Sequence, residues 1–314
     1  MRPVIVMLLH EEQDTGAYMI KYLVTRGMDF VMFRCWEERV ASLVPKAAGE
    51  TIRCLPVANK PHHYVPCLVN STAAPSTESE SLVTTSTSLA PVSSNVAEDC
   101  RIRAVASFGG SMSVNDELSY FESIRSLMRS CLEKRIPVIG HCLGGQLLSS
   151  ALGGRIVLSE NIEVGWYEMV VEEAEDVKDW FGGRKRFDAF HIHTDSFTIP
   201  QGARRIVTGA YCANQAFQVG DQFALGMQFH PEVDEDKVRS LISSQFPTLY
   251  TEEELADILR KGAEGAKTPD GRLLVSPGSM TRECIEKCLR EGRIEQNRPI
   301  ADSIYDTWCS GFLF

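Results

Sequence analysis

An unbroken apolar run, Pro3-Val4-Ile5-Val6-Met7-Leu8-Leu9, opens the chain and reads as a strand buried on both faces. Ala17 to Arg26 follows with apolar side chains at helical spacing (Met19, Ile20, Leu23), and Asp29 to Phe33 returns as a second strand. Strand, helix and strand joined by short connections predict a parallel sheet with crossover helices. The rhythm stops from Ser71 to Asn95, where Ser and Thr dominate and few large apolar side chains remain to offset the entropy of ordering. That stretch, about 71–98, is expected to be a disordered insertion in a surface loop and not a domain boundary. Periodicity resumes with a strand over Ile102 to Phe108. A helix over Glu117 to Lys134 follows, with Leu118, Phe121, Ile124, Met128 and Leu132 along one face. Ile136 to Ile139 reads as a short strand and Leu143 to Leu152 as another helix.

Strands dominate after that: Arg155 to Leu158, Trp166 to Val171, Phe187 to His191, Arg205 to Ala210, Gln215 to Val219 and Gln222 to Phe229. The last two flank Gly220-Asp221 as in a hairpin. Beyond Pro231 the pattern predicts polar helices over Asp236 to Ser244, Glu252 to Gly262 and Thr281 to Arg290. The fold class expected is α/β, a mostly parallel central sheet flanked by helices with antiparallel strands at one edge. Residues 1–245 form this domain and 246–314 a helical C-terminal extension.

Composition changes the picture little. The chain has 314 residues, 44% hydrophobic and 24% charged, the profile of an ordinary soluble protein. A net charge of −10 without a compact Lys/Arg block weighs against a nucleic-acid partner. No apolar stretch approaches the length of a membrane span, and Met1 to Leu9 lacks the parts of a secretory signal, so a cytoplasmic location is expected. The ten cysteines are scattered, which suits reduced thiols. Cys284 and Cys288 stand four apart, but no further His or Cys pair completes a metal site, so no metal and no cofactor are expected.

Two stretches carry chemistry. Gly140-His141-Cys142-Leu143-Gly144-Gly145-Gln146 has the form G-x-C-x-G between a short strand and a helix, the cysteine version of a nucleophile elbow. So tight a turn demands small neighbours and leaves the nucleophile projecting alone. The helix that starts at the next residue aims its free N–H groups at negative charge on the sulfur and on a later tetrahedral oxygen. Gly226-Met227-Gln228-Phe229-His230-Pro231-Glu232 places a carboxylate two residues after a histidine, on the same side of an extended chain. That is the base and orienter of a triad. Either motif alone leaves a structural glycine turn or a surface histidine open as the alternative; their co-occurrence favours catalysis. His141, beside the nucleophile, is expected to point away from it.

On these residues the chain resembles the class I glutamine amidotransferases, in particular stand-alone members related to the amidotransferase domain of GMP synthase. The resemblance covers about Ile102 to Val233, with a looser match at the first strand. Phe108-Gly109-Gly110-Ser111-Met112-Ser113 looks like the family's Gly-Gly-Pro-x-Ser turn, and Asn214-Gln215-Ala216-Phe217 like another of its signatures. The resemblance implies a flavodoxin-like, amidotransferase-like fold. It also implies that Cys142 attacks the side-chain amide of glutamine through a γ-glutamyl thioester, with His230 as base and Glu232 orienting it. Gly110 and Leu143 would supply the oxyanion hole, and Gln146, His193 and Asp195 the substrate pocket. Ser111 replaces a common Pro and Thr194 a Gly in the pocket segment, which unsettles that segment's backbone contacts.

The chain has no Gly-x-x-x-x-Gly-Lys-Ser/Thr loop and no Ser-Gly-Gly-x-Asp nucleotide loop, and the segment after Glu232 is short and polar for a synthetase. Two enzyme readings follow: ammonia passed to a separate synthetase chain, or a stand-alone hydrolase of glutamine or γ-glutamyl peptides. A catalytically silent binding or regulatory relative is the third.

Overall fold

The computed structural model describes residues 1–37, 40–47, 49–66, 97–116, 118–174, 179–221, 223–245, 251–260 and 276–312. Its strands are β1 (Arg2–Leu9), β2 (Phe30–Arg34), β3 (Ile52–Pro56), β4 (His63–Pro66), β5 (Glu98–Ser107), β6 (Val138–His141), β7 (Ile156–Val171), β8 (Arg186–Phe197), β9 (Ala203–Gly209), β10 (Ala216–Val219) and β11 (Ala224–Met227). The helices are α1 (Ala17–Thr25), α2 (Leu43–Ala47), α3 (Phe121–Glu133), α4 (Leu143–Ala151), α5 (Glu235–Gln245), α6 (Glu252–Arg260), α7 (Arg282–Arg290) and α8 (Arg293–Ser310).

The strands join in one sheet, ordered β1-β2-β4-β3-β5-β6-β11-β10-β9-β7-β8, and a β1–β5 pairing closes the first five into a ring. The run β2-β1-β5-β6-β11 is parallel throughout. Beyond β11 every pairing is antiparallel, as expected for one edge. The short strand β3, also antiparallel to both of its neighbours, was not anticipated, so the sheet is mixed and not mostly parallel. The two strands expected over Arg155 to Leu158 and Trp166 to Val171 are one continuous β7, which crosses the polar Ser159-Glu160-Asn161 with a register irregularity. Most of the Ser/Thr-rich insertion lies outside the described residues.

Alternation along β1 assigns the core. Val4, Val6 and Leu8 pack with α3 and α4, among them Phe121, Leu127 and Leu147, on one face. Ile5, Met7 and Leu9 face Met19, Tyr22 and Leu23 of α1 on the other. Helix α8, which falls in the expected helical extension but had no bounds of its own there, completes that second layer with Ile300, Ile304, Tyr305 and Trp308. Among the described residues no helix is long and apolar enough to cross a membrane.

Candidate active site

Strand β6 lies between β5 and β11 with all four residues buried, and its end feeds directly into α4. The residue between them is Cys142, at φ 50° and ψ −110°, a left-handed-side backbone that non-glycine residues rarely adopt. The turn is held by Cys142 N–H donating to Met227 O (2.9 Å) and Gly144 N–H to Phe108 O (3.0 Å). A Cβ on Gly144 would stand 2.2 Å from the Ser107 carbonyl oxygen, so only glycine lets α4 come this close to β5. Cys142 itself is 6% exposed, and Gln228 Nε2 lies 3.6 Å from its sulfur.

Opposite it stands His230, with Nδ1 donating to Glu232 Oε1 at 2.8 Å. The expected pair forms, but not within a strand: β11 ends at Met227 and the chain turns at Pro231-Glu232. Gly109 passes so near that a Cβ there would sit 2.9 Å from His230 Cε1 and 3.6 Å from Cys142 Cβ. Burial disfavours an imidazolium at His230, but the Glu232 carboxylate and the Cys142 sulfur outweigh it and raise its pKa to about 10.

Glu232 is fully buried, which alone would raise its pKa; Lys237, His230 and His141 together hold it well below the usual carboxylate range. Lys237 did not emerge from the sequence. Its ammonium, 8% exposed, donates to Glu232 Oε1 and to Asp14 Oδ1, each at 3.0 Å. Burial lowers its pKa, and the two carboxylates more than reverse that. A chain of charge therefore runs from Asp14 through Lys237, Glu232 and His230 to Cys142.

The remaining expected residues fall in distinct places. Gly110 packs against Leu143, since a Cβ on Gly110 would lie 2.9 Å from Leu143 Cδ2. Gln146 is buried beneath the nucleophile, donating to Asp195 O (3.2 Å) and Gln228 Oε1 (3.3 Å). Gln228 thus links it to the sulfur, a role that the Gln228-Phe229-His230 motif does not reveal by itself. Asp195 Oδ2 accepts from Ser113 Oγ at 2.5 Å, tying β8 to the glycine turn. His193 is 5% exposed, with Nε2 at 2.7 Å from Glu163 Oε2. His141 points into the core, stacked on Phe108 at 5.1 Å, with its ring nitrogens facing Ser107 O and Tyr305 Oη.

A cavity of about 280 Å³ opens over Cys142 and His230. Gly109, Gly110 and Ile192 line it on the sheet side, while Gln146, His193 and Asp195 do not reach it. Asp14 and Lys237 lie on its other wall. Space beside both the sulfur and the imidazole is what acyl transfer to a thiolate requires.

Known proteins resemble this chain in sequence and in fold. The class-I glutamine amidotransferase family matches residues 78–247, more than half of the chain. A glutamine-hydrolyzing GMP synthase subunit from Methanococcus vannielii is 31% identical over 116 residues, 37% of this chain and 60% of that protein. The chain thus spans less than two thirds of the length of that curated relative. A glutamine amidotransferase structure from Methylobacillus flagellatus superposes with a TM-score of 0.65 at 24% identity, over 99% of this chain and 95% of the other. One from Thermotoga maritima gives 0.58 at 19%, over 98% of each. Those structures speak for the fold, and the family match covers the elbow, the histidine and its carboxylate: the chain belongs to the class-I glutamine amidotransferase family.

Proposed function

We propose that the protein hydrolyses a glutamine-type side-chain amide with Cys142 as nucleophile. The observation that carries this reading is Cys142 in a strained turn at the start of α4, facing the buried His230–Glu232 pair. With the Cys142 thiol proton already held by His230, the thiolate sulfur attacks the amide carbon, a C–S bond forms, and the carbonyl electrons move onto oxygen. The N–H groups of Gly110 and Leu143 would receive that oxyanion. As the C–N bond breaks, His230 gives its proton to the departing nitrogen; the raised pKa means that the proton is in place beforehand. Water then attacks the γ-glutamyl thioester, His230 takes its proton, and the C–S bond breaks to release the acid.

The parallel strands, taken alone, follow the order β2-β1-β5-β6-β11, which supports a flavodoxin-like reading. Cys142 and His230 then follow the carboxyl ends of neighbouring strands β6 and β11, where such sheets place ligands. Gln146, His193 and Asp195 support a substrate role only indirectly, by holding the wall beneath the sulfur. As in the relative described as one subunit of GMP synthase, the ammonia acceptor would be a separate chain. The second reading, a stand-alone γ-glutamyl hydrolase, uses the same cavity over Cys142 and His230 and differs only in the group that leaves with the nitrogen.

The test is release of glutamate from L-glutamine and from a panel of γ-glutamyl peptides. Turnover of either supports the Cys142 reading, and the preferred substrate separates glutaminase from peptidase. If neither turns over and a glutamine-like electrophile fails to label Cys142, the catalytic reading is wrong and the silent relative stands.

A further inference from the structure

We propose that Glu163, His191 and His193 form a divalent-metal site, fitted to zinc, that pins the antiparallel edge of the sheet behind the nucleophile. One ligand atom from each of the three lies within 4.8 Å of the others, and all three residues are buried. Glu163 is on β7 and the two histidines are on β8, in register with Glu163 and Gly165. None of them lines the cavity over Cys142.

The hydrogen-bond accounting is what points to an ion. Glu163 Oε2 accepts from His193 Nε2 (2.7 Å) and from Gln215 Nε2 (2.6 Å), yet Glu163 Oε1 and Gln215 Oε1 have no protein partner. His191 is fully buried, and neither of its ring nitrogens has a hydrogen-bond partner; Nδ1 is 3.7 Å from Glu163 Oε2. Buried polar groups are rarely left unpaired, and four such atoms around one carboxylate mark a place where a positive charge or a water belongs.

The donor chemistry selects among cations. Two imidazoles and one carboxylate suit zinc and its neighbours in the first transition row, whereas calcium and magnesium want oxygen alone. His193 Nδ1 donates to the Asp195 backbone carbonyl at 3.0 Å. With Nδ1 so engaged, Nε2 is the nitrogen turned toward Glu163, and on metal binding it would give up its hydrogen bond to Glu163 and present its lone pair to the ion, the outer-sphere arrangement typical of metal-bound histidine. Zinc bonds of about 2.0–2.2 Å at tetrahedral angles need ligand separations of roughly 3.3–3.5 Å. Glu163 and His193 would therefore part slightly and His191 close in, with Gln215 Oε1 or a water as fourth ligand. No further metal cluster is present among the described residues.

The experiment uses the full chain, stripped with chelator, supplied with one equivalent of zinc and passed through a desalting column. His191→Phe, which keeps a ring among Tyr167 and Phe229, is treated alongside. Wild type is expected to retain about one zinc per chain and to melt a few degrees higher, whereas His191→Phe retains below about a tenth of that and does not shift. Because the chain has several free thiols, X-ray absorption on the zinc-loaded wild type is the second reading, with nitrogen and oxygen neighbours only expected. Equal retention by the two proteins, sulfur bound to the zinc, or no retained zinc would each overturn the proposal. The last would mean that water satisfies the cluster. Should His191→Phe misfold by circular dichroism, the absorption spectrum decides alone.

Discussion

One carboxylate oxygen, Glu232 Oε1, serves both His230 and Lys237, so its charge is divided between a reacting group and a fixed one. Removing the lysine as Lys237→Met should cost about 3–5 kcal/mol of stability, since Asp14 and Glu232 lose a buried partner. It should also raise the pKa of Glu232, moving the acid limb of the kcat/KM profile to higher pH. An acid limb that stays put would reduce Lys237 to packing. Cys142→Ser is expected to lower kcat at least ~10³-fold, and Glu232→Gln at least about tenfold less than that, because orienting costs less to lose than attacking. Equal losses in the glutamate-release assay would give Glu232 a larger part. The nucleophile, its base and the orienting carboxylate were legible because each sits in a contiguous motif shaped by a local turn. Lys237 was not: in Asp234-Glu235-Asp236-Lys237 it looks like any solvated helix charge, and its partner Asp14 is 223 residues away.

Elements were legible where a local run or period of apolar residues sets the burial and hidden where burial comes from elsewhere. The first strand, α1, α3 and the elbow all announce themselves through apolar period. Strands β3 and β4 are only five and four residues long, and their pairing depends on the closure of a ring that no local pattern reveals. Helix α8 carries its buried Ile300, Ile304 and Trp308 at helical spacing, but Ile294 is the single apolar residue from Arg293 to Arg298 and Pro299 interrupts the pattern. Tertiary contact with α1 decides the outcome: Tyr22 and Tyr305 pack at 5.1 Å, and Tyr18 and Tyr22 donate to Asp302 and Asp306. The helix is therefore part of the core. Trp308, wholly buried, should on substitution by Ala cost about 3–5 kcal/mol in urea unfolding, as a large core cavity does. A loss below about 1 kcal/mol would mean that α8 is dispensable to the fold.

At the scale of the molecule, folding buries several titratable groups, and their shifts act in opposite directions. His10 and His191 are held near a pKa of about 4 by burial, well below the ordinary 6.5. The unfolded chain binds more protons than the folded one between those values, so these two groups make stability rise from pH 4 to 6.5. Glu232, depressed by Lys237 and His230 despite burial, and Glu163, depressed by its contacts with His191, His193 and Gln215 despite burial, add stability that is present above the ordinary 4.5 and lost as pH falls further. His230 runs the other way. Its pKa near 10 means that its contribution is full below 6.5 and is lost as pH rises from there toward 10. Melting temperature should therefore peak close to pH 6.5 and decline on both sides. In His230→Gln the alkaline decline should flatten, since no proton is then held against Glu232 and Cys142, while the rise that His10 and His191 give between pH 4 and 6.5 remains. Melting curves from pH 4 to 10 on the two proteins decide the point. An alkaline limb of the same steepness in both would mean that the folded protein does not keep His230 protonated, and the proton for the leaving nitrogen would have to come from another source.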